Sequence, residues 1–396
     1  MRTDSTEHRR TSVLIVGAGP VGLFLGLALQ RHGIPCLLVD RRGAVSARSR
    51  AIGIHPPSLE LFDQVGLAGA LLAEGHRIHQ GVARTRTRVL GTMNFNEAGG
   101  AYPFIVTLPQ GRTEQLMQDA LMTTKAQLCL GTITETMEQH EGGITATVRN
   151  EAGTHTTISA AYLVGCDGRD SAVRDQWRIP FRGGDYPDRY AMGDFPDHMP
   201  ESDVAYIYMD REGLVEAIPL PNGIRRWVLR LPTGVHEITG DAFPQTVLRR
   251  TGERLPAVPD PSIDIFGIQH YLADRVVEGR VLLAGDAAHV MSPIGGQGMN
   301  IGWMDAWELA CKLSQVGSDE APAFPDYDQT VRRRARIAIR RAHANTMLGR
   351  QTLFPAVRNG LIRVMLNSPL RSIWLRRFTM RGLPQLQESP SPFDRV

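Results

Sequence analysis

The chain of 396 residues is poor in cysteine, in lysine and in aromatic side chains. Its four cysteines, Cys36, Cys129, Cys166 and Cys311, make no Cys-x-x-Cys pair. That argues against a dithiol redox centre and against a zinc knuckle, and the four read as buried, reduced thiols. Only Lys125 and Lys312 are lysines among 44 basic residues, and 41 acidic residues leave a net charge of +3. No nucleic-acid motif accompanies this balance. The arginine run Arg332, Arg333, Arg334, Arg336, Arg340 and Arg341 has helical spacing and reads as a solvated face. No eighteen consecutive apolar residues occur, so no spanning helix is expected. The polar residues 1–10 lack the apolar stretch of a signal peptide, and a cytoplasmic location is expected. There is no His-Glu-x-x-His and no nucleophile motif, so no metal site and no hydrolytic triad is expected.

What is present is an α/β pattern in three instalments, with alternating segments between them. Thr11–Val16 is a continuous apolar run ending at a glycine, as a buried parallel strand requires. Val21–His32 has helical spacing and Gly33 follows it, a C-terminal cap signal. Cys36–Val39 reads as the next buried strand, Leu59–Leu72 and Arg112–Lys125 as helices, and Ile133–Val148 as a hairpin turning at Gly142-Gly143. Residues 81–103 and about 181–271 alternate with period two, the signature of half-covered antiparallel strands. Tyr162–Val164 and Arg280–Ala284 read as further buried strands, Asn300–Leu313 as a helix, and the rest to about Arg381 as mostly helical. The expected division is a discontinuous unit of residues 1–80, 104–178 and 272–345, an inserted sheet of residues 81–103 and 179–271, and a helical segment of residues 346–396.

Three motifs carry chemistry. Gly17-Ala-Gly19-Pro20-Val21-Gly22 follows a strand and opens a helix, the context in which Gly-x-Gly-x-x-Gly binds a dinucleotide. Gly17 permits the tight turn, Gly19 lets a pyrophosphate approach the backbone, and Gly22 lets helix and strand pack closely. Asp40 ends the next strand and suits the hydroxyls of an unphosphorylated ribose. Asp167-Gly168 follows a second strand. Gly285-Asp286 follows a third and continues into Pro293-Ile-Gly-Gly-Gln-Gly298-Met299-Asn300. A carboxylate at a strand end suits a polyol such as a ribityl chain. A glycine loop at a helix start offers N–H donors to a flavin carbonyl.

With Asp40-Arg41 and the stretches Arg50 to Glu60, Leu108 to Glu114 and Tyr186 to Tyr190, these motifs resemble the single-component FAD-dependent aromatic hydroxylases, the para-hydroxybenzoate hydroxylase class. Within it the chain resembles most the phenol and polyketide hydroxylase branch, over about residues 11 to 310. The resemblance implies an α/β fold: a Rossmann-like FAD-binding domain of the GR2 type, an inserted antiparallel substrate domain and C-terminal helices. It implies Arg50 and Arg112 at the FAD pyrophosphate, Asp286 at the ribityl chain, Gly298, Met299 and Asn300 at the flavin pyrimidine edge, and Asp167 near the nucleotide. His55 and Pro293 are candidates to lie beside flavin or substrate. The implied reaction uses NADPH or NADH, dioxygen and a flavin C4a-hydroperoxide to hydroxylate an aromatic or polyketide-like compound. The absence of a second Gly-x-Gly-x-x-Gly fits that family. Larger members of the branch carry a further thioredoxin-like domain, not expected here.

Rivals remain at this level. A flavin halogenase carries Trp-x-Trp-x-Ile-Pro, of which this chain has Trp177-Arg178-Ile179-Pro180 with Asp175 where the first tryptophan belongs. A reductase or dehydrogenase of the same fold, or a catalytically degenerate FAD-binding protein, would share the cofactor motifs. Tyr206 and Tyr208 share one strand face and read as sheet-core residues or pocket lining.

Overall fold

A computed structural model describes residues 7–44, 51–316, 324–369 and 371–384. The first sheet is built on Glu7–Val16, which pairs in parallel with Cys36–Val39 on one side and His155–Gly165 on the other. Val281–Leu283 and Gln127–Cys129 extend it in parallel on either side, Val277–Glu278 adds an antiparallel edge beyond Val281–Leu283, and the hairpin Thr132–His140/Gly143–Asn150 packs antiparallel on His155–Gly165. Parallel strands must be covered on both faces, and Val13–Val16 and Cys36–Val39 are buried throughout. The helix Pro20–Arg31 covers them with Leu23, Phe24 and Leu27. Phe62 bridges it to the helix Gly298–Ser314, its ring centroid 5.1 Å from Phe24 and 4.7 Å from Trp303.

The second sheet also has eight strands, in the order His289–Val290, Ile263–Ala273, Phe181–Pro196, Ile224–Arg230, Gly213–Leu220, Val204–Asp210, Gln80–Arg84 and Val89–Asn94. All its pairs are antiparallel except Val204–Asp210 with Gln80–Arg84. Its outer face packs Tyr208, Val215, Ala217 and Trp227 against Phe243 and Val247 of the helix Ala242–Thr251. Tyr206 and Tyr208 therefore belong mainly to this core, though Tyr206 also reaches the cavity described below. A three-stranded sheet of Gly53–Ile54, Ile105–Thr107 and His76–Ile78 lies apart from these two. The helices Pro325–Leu348, Pro355–Asn367 and Arg371–Phe378 follow.

Several elements differ from the sequence expectation for identifiable reasons. The single helix over 59–72 is two, Pro56–Gln64 and Ala68–Glu74, because Gly66 turns the chain at φ 75°. The first strand begins at Glu7, its polar end paired with the polar end of His155–Gly165. The helix Ala242–Thr251 was hidden by its proline and two arginines. The arginine run is not a uniformly solvated face: Arg334 is 1% exposed and paired to Glu308 and Asp305. Among the described residues, no helix is long and apolar enough to cross a membrane.

Candidate active site

A cavity of about 1330 Å³ runs from the carboxyl ends of the parallel strands to the inner face of the second sheet, with the C-terminal helices along its wall. Ligands of open α/β sheets bind at that strand edge. Glu7–Val16 delivers Gly17, Cys36–Val39 delivers Asp40, His155–Gly165 delivers Asp167 and Val281–Leu283 delivers Asp286.

At the strand-edge end, Gly17 holds φ 103°, and a Cβ there would meet the Cys166 carbonyl oxygen at 2.4 Å. A Cβ on Gly22 would lie 1.9 Å from the Gly17 carbonyl oxygen, so helix and turn touch backbone to backbone. Gly19 is different. Its φ of −78° suits any residue, and the nearest atom to a Cβ there is an Arg42 nitrogen at 3.6 Å. Nothing inside the chain demands glycine at 19, which fits a pyrophosphate closing on the backbone.

Asp40 accepts from the Ala18 N–H at 2.7 Å and from the Arg42 N–H at 2.8 Å, and pairs with the Arg42 guanidinium at 3.0 Å. Burial opposes its charge, but the Arg42 hydrogen bonds and charge prevail and hold the carboxyl below its usual range. Arg41 also lines the cavity, yet Arg42 is the arginine fixed here, reaching Glu114 as well at 3.5 Å. Arg41 was the arginine expected here; two adjacent arginines follow the strand, and nothing in the local sequence favours Arg42 over its neighbour.

Asp167 accepts from the Ser171 hydroxyl at 2.5 Å and from the Val173 N–H at 3.1 Å. Burial raises its pKa against those bonds. Its carboxylate thus anchors the short helix Ala172–Gln176 at the cavity edge. Asp286 has no hydrogen-bond partner among the described residues. Its surface faces the cavity, and its desolvated carboxyl is pushed up, with His289 and Arg169 opposing. An unpartnered carboxylate in a cavity wall fits the hydroxyls of a polyol. Gly285, beside it, turns at φ 63° against Val21.

Pro293, Gly298 and Met299 line the cavity, and Gly298 starts the helix Gly298–Ser314. A Cβ on Gly298 would find only Met291, at 3.6 Å, so this helix start also lies open to a close-fitting ring system. Asn300 turns inward. It accepts from the His55 N–H at 2.9 Å and donates to the carbonyls of Gly53 at 2.9 Å and Gly296 at 2.8 Å, bracing the glycine loop. His55 lines the cavity at 2% exposure, its Nδ1 without a partner, and burial lowers its pKa to about 4, so the ring is neutral at physiological pH.

Arg112 departs from expectation. It makes a two-pronged pair with Glu74, at 2.6 and 2.7 Å, on the exposed side of its helix, and it is absent from the cavity wall. The carboxylate on the neighbouring helix satisfies the guanidinium there, and Gln110 is the residue of that segment on the wall. Arg50 lies outside the described residues.

The far end is mainly apolar and lies on the sheet expected to hold the substrate, but which of its residues line the cavity was not legible. Strand alternation sends Ala205, Ile207 and Met209, and Leu214, Glu216 and Ile218, into the cavity while their neighbours pack outward. Met192, Val228, Phe266 and Ile362 complete this wall, and Arg340, Arg341 and Arg377 reach the cavity from the C-terminal helices.

A Rossmann-like sheet with an inserted antiparallel sheet over one shared cavity is the scaffold of the FAD-dependent aromatic hydroxylases. The chain belongs to the FAD binding domain family, whose model matches residues 10–342. It is 33% identical over 315 residues to 6-methylpretetramide 4-monooxygenase of Streptomyces rimosus, a match covering 77% of this chain and 56% of that protein. The p-nitrophenol 4-monooxygenase PnpA of Pseudomonas putida superposes with a TM-score of 0.82 at 22% identity, over 95% of this chain and 98% of that one. The OxyS anhydrotetracycline hydroxylase of Streptomyces rimosus superposes with a TM-score of 0.77 at 27% identity, over 96% and 78%. Among curated relatives, matches span from 56% to 64% of the relative's own length in four cases.

Proposed function

We propose that the chain is an FAD-dependent monooxygenase that hydroxylates an aromatic or polyketide-like small molecule with dioxygen, using NADPH or NADH as reductant. One observation carries this reading: a single cavity joins a glycine-and-carboxylate nucleotide end to a large apolar end. The names of two relatives, a pentachlorophenol 4-monooxygenase and a 6-methylpretetramide 4-monooxygenase, support it. We assign the nucleotide end to residues 1–80, 104–178 and 272–345, the substrate end to the sheet of residues 81–103 and 179–271, and part of the wall to the helical segment 346–396.

FAD, when bound, supplies hydride acceptance and oxygen activation, and the protein supplies position and environment. Asp40, oriented by Arg42, would hold the adenosine ribose. The Gly17–Gly22 turn and the helix start behind it would hold the pyrophosphate, and Arg41 lies close enough on the wall to add charge. Asp286 would accept from the ribityl hydroxyls. The N–H groups at Gly298 and Met299 would meet the flavin pyrimidine edge, with Asn300 fixing their loop. Neutral His55 and the Pro293 turn stand beside that edge. The apolar wall excludes water from the reacting ring.

The halogenase alternative gains no support, since Trp177 packs against the main core and Ile179 is buried in it. Oxygen-18 labelling tests the proposal. Label from dioxygen in the product, with NAD(P)H oxidation stimulated by a phenol, quinone or polyketide, is the expected result. Product formed without label would make the chain a reductase or dehydrogenase. Absence of stimulated oxidation across a broad panel would make it a non-catalytic flavoprotein.

A further inference from the structure

The substrate wall holds one carboxylate that its surroundings do not explain. On the strand Gly213–Leu220, Val215 and Ala217 point into the core with Tyr208 and Trp227, whereas Leu214, Glu216 and Ile218 face the cavity. Glu216 stands across from Ile207 on one neighbouring strand and Val228 on the other. It has no hydrogen bond and no ion pair among the described residues. A leucine or valine would complete this wall at no electrostatic cost, whereas an unpaired carboxylate in apolar surroundings is disfavoured.

Nearby groups do not neutralise it. Arg226, two positions along the strand from Val228, is held by Asp194 through bonds of 2.7 and 2.8 Å. Tyr190, on Phe181–Pro196, feels the Glu216 charge through a buried hydroxyl that has no partner of its own. The other charges acting on Tyr190 are Asp188, Arg230 and Arg350, which are bound to one another. The same cavity is lined by Ile207 and Met209 from Val204–Asp210 and, from the C-terminal helices, by apolar Leu348, Ile362 and Met365 and by the cations Arg340, Arg341 and Arg377, none of them paired with Glu216. Desolvation alone accordingly pushes the Glu216 carboxyl up to about 7.

We propose that Glu216 is a specificity-determining residue that accepts a hydrogen bond from a phenolic hydroxyl of the substrate, seated among Ile207, Ile218 and Val228. The inference rests on the reading of the cavity as the substrate site of a monooxygenase. An ionised carboxylate is an acceptor only, so it favours a hydroxyl donor and rejects the methyl ether of the same ring. A site built to bond a hydroxyl discriminates strongly against the analogue that cannot donate.

The test is binding, read from the flavin absorbance of the FAD-loaded protein without reductant, so it does not depend on turnover. The probes are 2-naphthol and 2-methoxynaphthalene. The wild-type protein should bind the naphthol at least about tenfold tighter at pH 8, and the preference should shrink toward pH 6 as the carboxyl gains its proton. Glu216→Leu should abolish the preference while melting no lower than the wild type. Glu216→Gln should retain part of it through the amide oxygen and lose the pH dependence. Equal affinity for both probes in the wild type, including failure of both to bind, would overturn the proposal, as would a preference that survives Glu216→Leu. A preference that follows these expectations in a protein that shows no oxygen transfer would sink the monooxygenase reading and leave the Glu216 assignment standing.

Discussion

The two ends of the cavity are built by opposite strategies. At the proposed nucleotide end, backbone does most of the work: Gly17, Gly19 and the Gly298 helix start bring main chain to the wall, Gly22 packs the helix onto the turn, and Asp40 and Asp167 are each locked by several bonds. At the proposed substrate end, alternate side chains of antiparallel strands make most of the wall, and its carboxylate, Glu216, has no hydrogen bond or ion pair among the described residues. The difference teaches where each function tolerates change. A backbone cradle fails when a single Cβ is added, while a side-chain wall can be re-shaped residue by residue with the fold intact. Known relatives acting on compounds as different as pentachlorophenol and 6-methylpretetramide are consistent with that division.

The comparison can be broken in a graded way. The largest effect is expected from Gly22→Ala, whose Cβ would lie 1.9 Å from the Gly17 carbonyl oxygen. The purified protein should carry no FAD, read as the loss of visible flavin absorbance relative to protein. A variant that retains full flavin would show that the turn is not the cradle. Next comes Arg334→Met, which leaves Glu308 buried without its cation, and Asp305 with His289 as its remaining partner, between the helices Gly298–Ser314 and Pro325–Leu348. Breaking a buried ion group in this way costs about 3–5 kcal/mol. Both ends should loosen together, with a lowered melting temperature and easier loss of flavin; an unchanged melt would mean the two ends are not coupled through this contact.

Ile207→Trp attacks only the substrate end. Filling that wall should weaken binding of aromatic ligands by about 1–3 kcal/mol, the usual scale for room gained or lost in a hydrophobic pocket, with flavin content normal. If flavin is lost instead, the two ends are not separable as described. The smallest effect belongs to Arg112→Ala. An exposed ion pair such as Arg112–Glu74 contributes about 0–1 kcal/mol, so stability and flavin retention should barely move. A marked loss of FAD in this variant would restore Arg112 to the pyrophosphate and require it to swing away from Glu74.

How much of this was readable beforehand follows the same divide. The turn at Gly17, the strand ends at Asp40, Asp167 and Asp286 and the loop before Asn300 are each encoded within a few consecutive residues, because a glycine turn or a strand-to-helix junction is a local structure with local rules. Even there, tertiary contacts add roles that the motifs did not show. Asn300 braces the loop, Asp167 anchors a helix, and Arg42 is the guanidinium fixed on Asp40. Arg112 sat in a family-like stretch, but a carboxylate 38 positions earlier holds it elsewhere.

By itself, then, the sequence determined the parallel strands, the dinucleotide turn and the order of the motifs, since hydrophobic periodicity and glycine placement are properties of short segments. Only the tertiary structure decided which face of each antiparallel strand meets the cavity, that Arg334 is buried, and that Glu216 stands alone opposite Ile207 and Val228. Those facts depend on strand register and on helices distant in the chain. Period-two alternation separates the two faces of a strand and gives no sign of which face will be covered by core and which by ligand.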